Sequence, residues 1–130
     1  MSKLSLAFFA TAAVFALMGM AWGVHMAMTG NFTMAPAHAH LNLLGWASLG
    51  IMGAFYGIAG DRANKRLGWL NYALSTVAVV VTIPALAMLL ASGGKENLGV
   101  KIGPLLAIAG MLVFLIDVLL TLRAPKTASA

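Results

Sequence analysis

The chain has 130 residues, of which 62% are hydrophobic and 8% charged, with a formal net charge of +5 and no cysteine. Soluble domains carry roughly 25% charged residues, so this chain cannot clothe its surface in polar groups, and lipid is its expected solvent. The missing cysteines exclude disulfides, thiolate zinc sites, iron–sulfur clusters and covalently attached c-type haem. The basic residues lie at segment ends, which points to membrane topology and away from nucleic acid.

Four continuous apolar spans follow in order: about Leu4 to Met28, about Pro36 to Ala59, about Leu67 to Ala91 and about Val100 to Leu122. Each has about 20 residues or more, enough to cross a bilayer core as a helix. None alternates as a barrel strand would. The chain therefore reads as one all-α domain, a four-helix transmembrane bundle. The first span follows Lys3 as a secretory signal would, but it is longer than a typical signal core, so it is read as helix 1. Gly19 and Gly23 give helix 1 a Gly-x-x-x-Gly face suited to close helix contact. The breaks Thr29-Gly30-Asn31, Gly60-Asp61-Arg62 and Ser92-Gly93-Gly94 are short and make neighbouring helices antiparallel. Pro84 is expected to kink helix 3 near the histidine level. Asp117 in helix 4 has two readings, a proton-transfer group or a carboxylate that pairs with Arg62 or Arg66 or reaches water.

Charge sets the expected orientation. Lys3, the group Arg62, Lys65 and Arg66, and the pair Arg123 and Lys126 all fall on one side of four spans. The other side holds Lys95 and Lys101, partly offset by Glu96. The positive-inside rule then puts both termini in the cytoplasm of a bacterial inner membrane, with His25, His38 and His40 toward the outer face. Trp22, Trp46 and Trp69 are expected as interfacial anchors.

The histidines carry the chemistry. Ionisable side chains in a membrane segment are costly and usually mark function, and neutral imidazole is the commonest metal ligand. His38 and His40 fall in the first turns of helix 2, just after Pro36, a residue suited to that position. Each helical step turns about 100°, so the two rings point to nearly opposite sides and serve two different sites. Asn42 lies four residues after His38 on its face, as a hydrogen-bond partner. Gly45, Gly50, Gly53 and Gly57 strip bulk from helix 2, so that a flat ligand or another helix can approach.

The stretch Gly23-Val24-His25-Met26, then Asn31 through Trp46 with Pro36-Ala37-His38-Ala39-His40-Leu41-Asn42-Leu43-Leu44-Gly45-Trp46, resembles short bacterial membrane proteins related to subunit I of the haem–copper oxidases. That subunit has twelve helices in three arcs of four, and the second helix of one arc carries a His-x-His pair. The resemblance implies haem b as cofactor. It matches His38 to the ligand of the high-spin haem and His40 to that of the low-spin haem, with Asn42, Gly45 and Trp46 around them. It also implies electron transport, with quinol or another redox partner. The chain departs from the family in lacking a His-His pair on helix 3. Its tyrosines, Tyr56 and Tyr72, lie away from the His40 level, so oxygen reduction is not implied and no catalytic set is assigned.

Three copies of a four-helix chain would make twelve helices, as three identical arcs. A homotrimer then places His38 of one protomer and His40 of the next at each interface, as the two axial ligands of a low-spin b-type haem. The alternative is a copper-binding or metal-handling protein using His25, methionines such as Met26, Met28 and Met34, and His38, since thioethers and imidazole suit Cu(I). A small multidrug exporter is excluded by the lack of a carboxylate in helix 1. Hydrolysis is excluded by the lack of a nucleophile–base pair or paired carboxylates.

Overall fold

The computed structural model describes residues 1–124; Lys126 lies outside the described residues. Among them the chain is helical without strands, and four helices are long and apolar enough to cross a membrane: α1 (Lys3–Thr29), α2 (Ala35–Arg62), α3 (Lys65–Ala91) and α4 (Leu98–Arg123). Three of the four starts are capped by a side chain, while α2 begins after Met34 without one and has Pro36 in its first turn. The Ser2 hydroxyl accepts from the Ser5 N–H at 3.1 Å at the head of α1. The Asn64 side chain accepts from the Arg66 and Leu67 amides at 3.0 and 3.2 Å at α3. Asn97 does the same for Val100 at 3.2 Å at α4. Such side-chain acceptors satisfy amides that the first turn leaves without partners. α1 ends where Gly30 turns left-handed at φ +64°, a conformation without penalty for glycine.

α2 is not uniform. It is α-helical over Ala35–His40, a π-helix over Leu41–Ser48, α-helical again over Leu49–Ala59, and closes in a 3-10 turn over Gly60–Arg62. Pro84 lies inside α3, which continues through it without a break. α1 lies along α2, and α3 packs most extensively on α4. Small residues make both seams. A Cβ on Gly53 would lie 2.9 Å from Phe8 Cβ, and one on Gly110 would lie 2.6 Å from Ser75 Oγ.

The core centres on Phe8 and Tyr56, stacked with ring centroids 5.3 Å apart, with Tyr72, Phe55 and Phe114 around them. It lies toward the end that carries both termini, called here the basic end. The opposite end holds the three histidines and is called the histidine end. Three buried polar side chains of the core bond one another. Ser75 Oγ donates to Asn71 Oδ1 at 2.9 Å, and Asn71 Nδ2 donates to the Tyr56 hydroxyl at 3.3 Å.

Asp117 is wholly buried in α4 and neither pairs with Arg62 or Arg66 nor reaches water. Its Oδ1 accepts from the Asn64 backbone N–H at 2.9 Å, while Arg62 donates to the Thr121 carbonyl at 3.0 Å. The carboxylate thus ties α4 to the start of α3. Among the described residues the ion pairs are Lys65–Asp61 and Lys101–Glu96, both exposed.

Candidate functional site

His38 and His40 leave α2 on different sides. His38 is half-buried and turns toward α1, where its Cε1 lies 3.1 Å from the place of a Cβ on Gly23. One turn along α1, Gly19 makes the same allowance for the Asn42 carboxamide. The Gly-x-x-x-Gly face of α1 is therefore the floor on which His38 and Asn42 rest. Asn42 Nδ2 donates to the His38 carbonyl at 3.0 Å. The same nitrogen is 3.4 and 3.3 Å from the two ring nitrogens of His38. Near-equal distances put the amide beside the ring and not in line with one lone pair, so Asn42 steadies His38 without consuming a ligand nitrogen.

His40 is exposed and faces away from α1. It lines a groove of about 420 Å³ whose walls are Leu44 of α2, Thr82, Leu86 and Leu89 of α3, and Pro104 with its neighbours of α4. Its Nδ1 lies 2.7 Å from the Pro36 carbonyl oxygen. A carbonyl can only accept, so Nδ1 carries the proton and neutral His40 keeps its lone pair on Nε2. A backbone acceptor behind Nδ1 is the usual support of a metal-ligating histidine. The groove is apolar except for His40 and Thr82, whose buried hydroxyl has no hydrogen-bond partner.

The other residues expected at the site are placed as follows. Gly45 is buried against Phe15 of α1, where its missing Cβ gives helix contact. Gly53 and Gly57 face Phe8 and Ser5 in the same way, whereas Gly50 borders open space. Trp46 is exposed. His25 is exposed near the end of α1 and lies in a separate cavity with Trp22, Met26 and Met34. Among the described residues no three His, Asp or Glu side chains come together as a metal-binding group.

The π-helical segment directly after His40 was not legible in the sequence. Ser48 Oγ donates to the Leu43 carbonyl five residues back at 2.8 Å, across the widened turn. Such segments recur at functional sites. The signal that could have exposed it is the row Leu41, Gly45, Leu49 and Gly53 at steps of four, all buried. The buried trio Tyr56, Asn71 and Ser75 was also missed, because it joins residues of two helices that no local spacing connects. Compared with protein-family models, curated proteins and solved structures, the chain matches none.

Proposed function

We propose that this chain is a b-type haem-binding membrane protein of the kind related to subunit I of haem–copper oxidases, which carries electrons between redox partners such as quinols. The observation that carries this reading is the His40 tautomer, with Nδ1–H bound to the Pro36 carbonyl at 2.7 Å and Nε2 left as a ligand over an apolar groove. Grooves of this size, apolar with few polar groups, are the usual form of cofactor sites. His38, seated on Gly23, supplies a second imidazole on another side of the same helix.

Divergent rings do not converge on one iron within a chain, which favours a site shared between copies. In a homotrimer of twelve helices each interface receives His38 from one protomer and His40 from the next. Bound haem would supply one-electron chemistry, and the apolar groove walls would keep water from its edge. The four apolar helices expose residues such as Leu17, Ile51, Ile58 and Leu122 on their outer faces. Such a surface fits lipid wherever no neighbouring protomer covers it, here the bacterial inner membrane with the basic end in the cytoplasm.

The test is spectroscopic. Protein purified in mild detergent after expression with ample haem should show a Soret band, and sharp alpha and beta bands on reduction. His38→Ala and His40→Ala should each lose the six-coordinate spectrum. Co-expression of the two variants should partly restore it, because some mixed interfaces pair two intact histidines. A colourless wild-type preparation ends the haem reading, and mixed oligomers without recovery end the shared site.

A further inference from the structure

The structure assigns a second metal site to the histidine end, separate from the His38–His40 pair. We propose that His25, Met26 and Met34 bind one Cu(I) ion beside the Trp22 ring. A cavity of about 420 Å³ is lined by these four side chains, with Thr29 and Asn31 among the polar groups at its rim. Met26 is buried at 5% exposure, Trp22 and Met34 are half-buried, and His25 is exposed. The site is thus built partly into the fold and remains open to an incoming ion. Trp22, His25 and Met26 come from one turn at the end of α1, while Met34 comes from the connection that leads into α2. That connection is fastened locally. Thr29 Oγ1 donates to the His25 carbonyl at 2.9 Å, and Asn31 Oδ1 accepts from the Thr33 amide at 3.0 Å.

The donor set selects the ion. Two thioethers and one imidazole are soft to borderline ligands, which suit Cu(I) and leave magnesium and calcium without the carboxylate oxygens they favour. None of the lining residues is a carboxylate or a cysteine. Every ligand is therefore neutral, and a divalent ion would hold its full second charge in a chain already at +5. A monovalent soft ion avoids that cost. Trp22 lines the same cavity, and tryptophan is the best cation–π partner among the aromatic residues. His38 is not among the lining residues, so this site and the proposed haem site do not compete for a ligand.

The experiment uses the full chain in mild detergent, anaerobic and reduced, titrated with Cu(I) held by a coloured chelator such as bicinchoninate. The expected result is withdrawal of one Cu(I) per chain. His25→Ala and Met34→Leu should each weaken binding at least tenfold, about 1.4 kcal/mol or more, while His38→Ala leaves it unchanged. Ag(I), a redox-inert stand-in, should quench tryptophan fluorescence in wild type and much less in Trp22→Phe. X-ray absorption of the wild-type copper complex should show both sulfur and nitrogen neighbours, which keeps the proposal testable even if a variant fails to fold. No withdrawal of Cu(I) overturns it. So does binding that survives His25→Ala with Met34→Leu, binding lost in His38→Ala, or an absorption spectrum without sulfur. A colourless, copper-binding protein would refute the haem reading alone, and a red protein indifferent to Cu(I) would refute this one alone.

Discussion

Two glycines one turn apart in α2 give an internally controlled measure of how the α1–α2 seam is held. Gly53 faces α1, and an added Cβ would lie 2.9 Å from Phe8 Cβ and 3.5 Å from the Phe9 backbone nitrogen. Gly50 faces open space, with nothing within 4 Å of its Cβ position. Carbon atoms sit best at about 3.5–4.0 Å, so Gly53→Ala demands a retreat of at least roughly 0.6 Å. Phe8 Cβ is fixed to the α1 backbone, and no rotamer change can supply that retreat; the helix itself must move. Overpacking of this sort costs about 1–3 kcal/mol. Alanine is also the better helix former, by about 0.5–1 kcal/mol, but this gain is common to both substitutions and cancels in the comparison. Gly53→Ala should therefore be less stable than Gly50→Ala by about 1–3 kcal/mol. Reversible unfolding in mixed micelles, followed by circular dichroism, measures the difference. If the two variants unfold together, or Gly53→Ala is the more stable, α1 does not seat on α2 as described.

Two further outcomes follow from single contacts. Tyr56→Phe keeps the stack on Phe8 but removes the acceptor of the buried Asn71 amide; an orphaned buried donor costs about 1–3 kcal/mol, and the same unfolding assay should show that loss and no change in helical content. Glu96, the chain's single glutamate, lies 2.8 Å from Lys101 Nζ, whose hydrogen bond and charge hold its carboxyl below the ordinary carboxylate value. A depressed value means that the pair's small contribution is present at neutral pH and fades as pH falls through it. Lys101→Ala should therefore move the Glu96 titration, read by carbon NMR of labelled glutamate, up toward the ordinary value, with little effect on stability because the pair is exposed.

The four helices were legible because each apolar span is long and the three connections between them carry glycine or asparagine. The expected ends fall within a few residues of the observed ones at every span. The divergence of the two histidine side chains was legible because a two-residue step on a helix turns them to nearly opposite sides. The fate of Asp117 was not legible. From sequence it lies six residues before Arg123, which suggests a basic partner. In the fold its Oδ1 instead takes the Asn64 amide at 2.9 Å, an acceptor role fixed by how α4 crosses the start of α3. The helix-2 glycines were half legible. Their smallness was evident, but sequence could not say that Gly45, Gly53 and Gly57 are filled by α1 while Gly50 stays open.

The π-helical segment links these observations. Leu41, Gly45, Leu49 and Gly53 are all buried, with Phe15 and Phe8 of α1 against the two glycines. In a straight α-helix of 3.6 residues per turn, each step of four overshoots the face by about 40°. Three such steps would carry Gly53 about 120° away from Leu41. A wider turn over Leu41–Ser48 absorbs part of that drift and keeps the seam on α1. Its cost is poorer backbone hydrogen bonding, and the Ser48 hydroxyl on the Leu43 carbonyl offsets some of it. The widening begins one residue after His40. The first turns of α2 therefore stay α-helical, which preserves the four-residue reach from the His40 ring to the Pro36 carbonyl. The helix keeps α geometry where it sets the histidine tautomer and gives it up only where it must follow its neighbour.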